Sequence, residues 1–582
     1  MRYHLHLRAE RPTADESPSL RAATAQGAAA GRAPCAPHAI VSTPLARSAL
    51  LKRLAERREC DLVVIGGGAT GLGVALDAAA RGLSTVLLEA CDFAEGTSSR
   101  ATKLVHGGVR YLAQGNIGLV REALHERRVL LTNAPHLAQR LPFVVPAFHR
   151  WEPPFYGLGL KMYDLLAGAR GLGATQWLSA ARTVEALPTV RRQGLIGGVR
   201  YWDGQFDDAR LAVALARTAT ARGALVLNHT PVVALLRERA RAGARGQGDA
   251  SGGARVRGVV AEDAETGTRH EVRARCVVNA TGVWVDSVRD MDRDDDAPAR
   301  APMVAPSQGV HLVVERSFLP GTHALMVPRT SDARVLFAVP WLGKTILGTT
   351  DTPREDIVRE PAAFHDEVDF ILGEAGRYLA RAPTRADVRS VWVGLRPLVR
   401  HAGDDDENTK ALSREHTVTV ARSGLVTVTG GKWTTYRAMA EDVLARAMAR
   451  GLLPVRAGGV TVRLPLVGSA PGRSLAEPPG AHLYGSEAAL LASLSGADRW
   501  LWRDGESGHG GLSEAMVRFA ARYEFAREVG DVLARRSRLL FLDAAEAARQ
   551  AGAVAALLEE ELGRPVATDA FERLARQYAS PP

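Results

Sequence analysis

A strand, a glycine-rich turn and a helix follow one another between Asp61 and Arg81. Leu62-Val63-Val64-Ile65 is a short apolar run with the texture of a buried parallel strand. Gly66-Gly67-Gly68-Ala69-Thr70-Gly71 comes next, with Gly66, Gly68 and Gly71 in G-x-G-x-x-G spacing. The first glycine permits the tight turn. The second lets the backbone approach a pyrophosphate, and the third brings helix close to strand. The helix N-terminus then offers N–H groups to an anion. After Gly82, the run Thr85-Val86-Leu87-Leu88-Glu89 reads as the next strand. This βαβ unit predicts a Rossmann-type domain for an adenine dinucleotide. Glu89, at the strand's end, is placed to accept hydrogen bonds from a ribose diol, and its charge disfavours a 2′-phosphate.

The length of 582 residues leaves room for two or three domains. No apolar run reaches the roughly 18 residues of a spanning helix. The formal charge of +10 suits anionic substrates or anionic lipid. Arg is spread along the chain with no polybasic block, which argues against nucleic acid as a partner. Cys35, Cys60, Cys91 and Cys276 show no CxxC spacing, so no metal site or dithiol is expected, and they read as reduced thiols.

Residues 1–58 are rich in Ala, Arg, Pro and Ser and read as a disordered extension. At its end, Leu50, Leu51 and Leu54 among basic neighbours predict a short lead-in helix. The fold class is α/β. A discontinuous dinucleotide-binding domain is expected over 59–130 with 195–300 and 422–455. A mostly antiparallel substrate or cap domain is expected over 131–194 with 301–421, and a helical C-terminal domain over 456–582. Arg237 to Arg255, rich in Arg, Gly and Ala, reads as a solvated hairpin extension.

Four further segments carry chemistry. Cys276-Val277-Val278-Asn279 runs into Ala280-Thr281-Gly282, where small residues let the backbone pass close to a cofactor. This resembles the second signature of flavoproteins with two dinucleotide-binding domains, and it selects FAD over NAD. Thr97, Ser98 and Ser99 offer hydroxyls to a pyrophosphate, and Lys103 a neutralising charge. His106 and Gly108 follow as flavin neighbours, then Arg110 and Tyr111. Gly430-Gly431-Lys432-Trp433-Thr434 opens a helix after a strand, placing a positive dipole end and Lys432 together. In Gly394-Leu395-Arg396-Pro397-Leu398 the proline keeps Arg396 extended, so its guanidinium can fork onto phosphate or carboxylate.

Taken together, these segments resemble the FAD-dependent glycerol-3-phosphate dehydrogenases from about Cys60 to about Leu542. The likeness includes Lys103 to Leu112, Gly348-Thr349-Thr350-Asp351, Gly394 to Leu398, Gly430 to Tyr436, and Asp531 to Arg536 with Leu539 to Asp543. It implies a glutathione-reductase or D-amino-acid-oxidase-like fold. It implies oxidation of glycerol 3-phosphate to dihydroxyacetone phosphate, with electrons passed from FAD to a membrane quinone. A dimer is implied, lying peripherally on the inner face of the cytoplasmic membrane. The lack of a calcium-binding EF-hand pattern after the catalytic region points to the bacterial branch. Arg110, Tyr111, Arg396 and Lys432 are expected at the substrate, and His311 is the preferred base, ahead of His106. Val233, Gly431 and Thr434 join the cofactor residues. Arg535, Arg536, Arg538, Leu539, Leu540 and Phe541 have two readings, bilayer contact or helix packing. Two alternatives stay open at this level. One is another flavin oxidase, acting on amines or 2-hydroxy acids. The other is a non-catalytic flavoprotein binding a partner or nucleic acid.

Overall fold

The computed structural model describes residues 43–57, 59–108, 112, 115–239, 254–293, 300–332, 334–400, 415–504 and 510–582. Arg110, Tyr111 and most of the 237–255 insertion lie outside the described residues.

The first sheet is the nucleotide sheet. Its parallel core places Cys60–Ile65 between Arg269–Asn279 and Thr85–Leu88. Leu225–Leu227 and Val426–Thr429 extend it on either side. The central strand is buried on both faces, as expected for a run covered by helices. The hairpin Val232–Arg239 and Ala254–Glu262 pairs with the first half of Arg269–Asn279.

The second sheet is mostly antiparallel and has ten strands. Its long members are Ala138–Ala147, Gly197–Phe206, Val304–Glu315 and Ser390–Val399. Two of its strands were expected in the cofactor domain. Gly197–Phe206 pairs along its whole length with Ala138–Ala147, and Leu104–Val105 pairs with Gly204 and Gln205. The cofactor segment therefore enters the cap sheet soon after Lys103, and the boundary expected at 195 falls after Phe206. Alternation hid this, because Gly197-Gly198 and Gly204 break the strand pattern.

The lead-in helix expected at the end of the extension packs on the core. Arg47–Glu56 is a helix with Leu50 and Leu54 buried. Arg47 is pinned by Asp263 and by the carbonyls of Asn228 and His229.

After residue 456 the chain is mainly helical, with one hairpin of Trp500–Arg503 and Gly511–Ser513. The long helix Ala544–Leu562 starts where the Asp543 side chain accepts from the Glu546 amide at 2.9 Å. It stops at Gly563, which takes φ +66°. Arg535, Arg536 and Arg538 are all buried, as are Leu539, Leu540 and Phe541. The packing reading holds for them and the bilayer reading does not. Arg535 and Arg536 both engage Asp92. That fills the cluster of Asp92, His229 and Asp531, which has the shape of a metal site.

His229 ties the C-terminal segment to the cofactor side. Its Nε2 lies 3.0 Å from Asp531, and its backbone N–H donates to Cys91. Burial opposes the charged imidazole, but Asp531 overrides it and raises the pKa to about 9. The stabilisation is complete below about pH 6.5 and is lost as pH climbs through about 9. It should be on the order of 3 kcal/mol. The difference in Tm between the wild type and His229→Gln is therefore expected to be wide at pH 6 and nearly closed at pH 10. A pH-independent difference counts against the charged pair.

Candidate functional site

Both sheets contribute to one cavity of about 650 Å³. That volume lies within the usual ~300–1,000 Å³ of cofactor sites.

At one end stands the glycine turn. Gly66 takes φ +107°, and a Cβ there would lie 2.7 Å from the Ala280 carbonyl oxygen. A Cβ on Gly71 would come within 1.9 Å of the Gly66 carbonyl oxygen, so helix and turn touch only because it is glycine. Gly68, with no side chain, caps the helix Ala69–Ala80. The Glu89 carboxylate accepts from the amides of Gly67 at 2.5 Å and Cys91 at 2.9 Å. Burial pushes its pKa up, and those two amides pull it back. The bare turn and the carboxylate beside it fit the pyrophosphate and ribose of a dinucleotide. The Ala280-Thr281-Gly282 backbone lines the same end.

Thr97, Ser98, His106 and Gly108 also line the cavity, as do Gly431, Lys432 and Thr434. Trp433 Nε1 donates to the Ser98 carbonyl at 2.8 Å and holds the two segments together.

The far end is built by the cap sheet. His311 and Arg396 sit on paired strands, with Ser307 opposite Arg396 and Trp392 opposite His311. His311 is almost wholly buried, stacked on Trp392 with ring centres 5.3 Å apart. Its Nε2 lies 2.9 Å from Thr102 Oγ1. Burial, reinforced by the charges of Lys103 and Arg396, holds its pKa well below the usual value, so the ring is neutral.

Arg396 is not an open fork. Its Nη1 donates to Asp351 at 3.0 Å and to the Gln308 carbonyl at 3.3 Å. Its Nη2 donates to Thr349 Oγ1 at 3.1 Å and the Thr350 carbonyl at 3.0 Å. The terminal N–H groups are spent on the protein, so what this side chain offers the cavity is positive charge.

Three expected cofactor residues stand elsewhere. Lys103 is fully buried behind the wall and donates to Ser99 O at 2.6 Å and Asp208 at 2.8 Å. Burial pulls its pKa down to about 7, against the opposing pull of Asp208. It faces the rings of Trp341, Trp392 and Phe541 rather than a phosphate. Ser99 is buried too and serves through its carbonyl, which accepts from Lys103 and from Arg538. Val233 is 38% exposed and its neighbour Val232 takes the cavity position. The two-residue side-chain period accounts for that slip.

Asp208, the pairing of Asp351 with Arg396 and the Thr102–His311 contact escaped the sequence reading. Asp207-Asp208 carries a helix-start signal, since Asp207 caps Asp208–Ala221, but nothing in it announces that Asp208 pairs with Lys103.

Residues 61–441 match the family model described as FAD dependent oxidoreductase. Residues 480–568 match the one described as the C-terminal domain of alpha-glycerophosphate oxidase. The mitochondrial glycerol-3-phosphate dehydrogenases of Rattus norvegicus and Homo sapiens are each 40% identical to this chain, over 91% of it and 74% of theirs. The X-ray structure of the glycerol-3-phosphate dehydrogenase from Bacillus halodurans complexed with FAD aligns at a TM-score of 0.67 and 30% identity. That alignment covers 91% of this chain and 96% of the other. By sequence, by fold and by the furnishing of its cavity, the chain belongs to the FAD-dependent glycerol-3-phosphate dehydrogenases.

Proposed function

We propose that this enzyme oxidises sn-glycerol 3-phosphate to dihydroxyacetone phosphate with FAD and delivers the electrons to a quinone in a membrane. One observation carries the reading. A single cavity is lined both by a glycine cradle fit for a dinucleotide and by a neutral histidine, an arginine and a lysine. Bound FAD supplies the hydride acceptor. Gly66 and Gly68 let the backbone approach the pyrophosphate, and Glu89 receives the ribose. The charges of Arg396 and Lys432 attract the phosphorylated substrate and hold it, joined by Arg110 and Tyr111. His311 takes up the hydroxyl proton as the carbon loses its hydride. Anaerobic addition of glycerol 3-phosphate to the yellow protein should bleach the flavin. An unphosphorylated hydroxy acid or amine bleaching it instead, with peroxide formed in air, would overturn the reading.

The membrane contact has a separate support. Among the described residues no helix is long and apolar enough to cross a membrane. The helix Glu152–Ala167, however, turns Phe155, Leu158, Met162 and Leu165 outward along one face. Leu165 is 81% exposed and Phe155 66%. Trp151 and Trp177 flank this stripe, and Arg150 and Arg170 are exposed nearby. The local acids are tied back, Glu152 onto the Phe148 and His149 amides and Asp164 onto the Thr175 amide. An apolar stripe with aromatic and basic edges suits the interface of an anionic bilayer. Each buried side chain is worth about 1.5–3 kcal/mol. Phe155→Glu with Leu165→Glu should therefore cut flotation with anionic vesicles more than about tenfold. Turnover with a water-soluble dye acceptor should stay unchanged. Unchanged flotation removes the stripe from the membrane, and a dimer that dissociates in this variant assigns it to self-association.

A further inference from the structure

The threonine beside the buried histidine has a fixed position. Thr102 lines the cavity, and its Oγ1 lies 2.9 Å from His311 Nε2. Both of its chain neighbours are anchored to one carboxylate. The Ala101 amide donates to Asp208 Oδ2 at 3.1 Å, and Lys103 Nζ donates to the same oxygen at 2.8 Å. Lys103 itself takes φ +63°, a left-handed conformation that a lysine adopts only when its surroundings impose it. Arg538, wholly buried, closes the anchor from behind by donating to Asp208 Oδ1 at 3.1 Å and to Ser99 O at 2.9 Å. These contacts fix the backbone on both sides of the hydroxyl that meets the imidazole, 209 residues away in sequence. His311 is only 2% exposed, so Thr102 presents more of itself to the cavity than the imidazole does.

We propose that Thr102 is a catalytic residue, the hydroxyl relay through which the substrate's alcohol proton reaches His311. The inference rests on His311 being the base. As the carbon gives up hydride to the flavin, the alcohol proton moves onto Thr102 Oγ1. The threonine's own proton moves onto His311 Nε2. The carbon–oxygen bond becomes a carbonyl, and one proton resides on the imidazole at the end. His311 begins neutral, held so by burial and by the charges of Lys103 and Arg396, and the arriving phosphate dianion offsets those two cations.

Rapid mixing of holoenzyme with glycerol 3-phosphate without oxygen separates substrate affinity from the rate of flavin bleaching. Thr102→Val is expected to bleach about a hundredfold or more slowly at saturating substrate, the scale of positioned proton transfer. Its FAD content, visible spectrum and substrate dissociation constant are expected to match the wild type. Thr102→Ser should restore the rate to within about threefold, because only the hydroxyl matters. Combining Thr102→Val with His311→Ala should be no slower than His311→Ala alone, since both cut one path. A wild-type rate in Thr102→Val, or losses that multiply in the double variant, overturns the relay while leaving His311 in place. A wild-type rate in His311→Ala overturns the base itself. A serine variant as slow as the valine one makes the role structural and also sinks the relay.

Discussion

Gly66→Ala is expected to give a colourless protein. The position takes φ +107°, outside the range of an L side chain, and the new Cβ would lie 2.7 Å from the Ala280 carbonyl oxygen. The backbone strain alone is about 1–3 kcal/mol. The clash falls where the Cys60–Ile65 and Arg269–Asn279 strands end side by side, with Ile65 in register with Asn279. Relief requires those two ends to part, and Ile65 and Ala280 there line the cradle. A displacement costing about 3 kcal/mol of cofactor binding weakens FAD about a hundredfold. After gel filtration, the ratio of flavin to protein absorbance should fall close to zero. Added FAD should raise Tm by much less than it does for the wild-type apoprotein. Gly82→Ala is the control. It also has a positive φ, +79°, but a Cβ there meets nothing within 4 Å, so colour should survive. A yellow Gly66→Ala protein with wild-type FAD content would mean that the cradle tolerates a side chain at its tightest point.

That turn was legible because it is local. Strand, glycines, helix and carboxylate fall within thirty-odd residues, and each glycine's place follows from sterics. The Ala280-Thr281-Gly282 signature was legible for the same reason. What could not be read is whatever depends on long-range pairing. Lys103 sits in a run of hydroxyls and cations that looks like a phosphate site, yet its ammonium is claimed by Asp208, 105 residues on. Arg538 and its neighbours have the composition of a membrane-facing patch, yet Asp207, Asp208, Asp92 and Asp531 bury them. Charge pattern alone does not separate a solvated cation from one with a distant buried partner. Conversely, the exposed stripe on Glu152–Ala167 hides in a segment read only as part of the substrate or cap domain. The cap sheet was legible as a mostly antiparallel region but not in its edges. Leu104–Val105 is two residues long, too short to carry a period, and joins the sheet through Gly204 and Gln205.

Arg396→Ala should raise the KM for glycerol 3-phosphate at least a hundredfold, and Asp351→Asn should recover part of that loss. The reason lies in the pair rather than in the arginine alone. Arg396 and Asp351 together are close to neutral, while Lys432 adds a positive charge to the same cavity. Removing the guanidinium leaves the Asp351 carboxylate facing a substrate dianion. At an effective dielectric of about 20 and a separation of about 5 Å, each unit charge pair is worth roughly 3 kcal/mol. Losing that attraction leaves the Asp351 repulsion uncancelled, and this single change of about 3 kcal/mol or more exceeds a hundredfold in affinity. A simple phosphate fork makes a different forecast. If Arg396 swings off its four protein acceptors to grip the phosphate, its loss removes contacts that Asp351→Asn cannot replace. On the geometry found here, with Nη1 and Nη2 already engaged by Asp351, Gln308, Thr349 and Thr350, the charge is what counts. The double variant should then bind substrate about a hundredfold better than Arg396→Ala, because a neutral amide no longer repels the dianion. Steady-state KM in the single and double variants, with FAD content confirmed by absorbance, decides between the two. No recovery in the double variant would return Arg396 to the role of a fork.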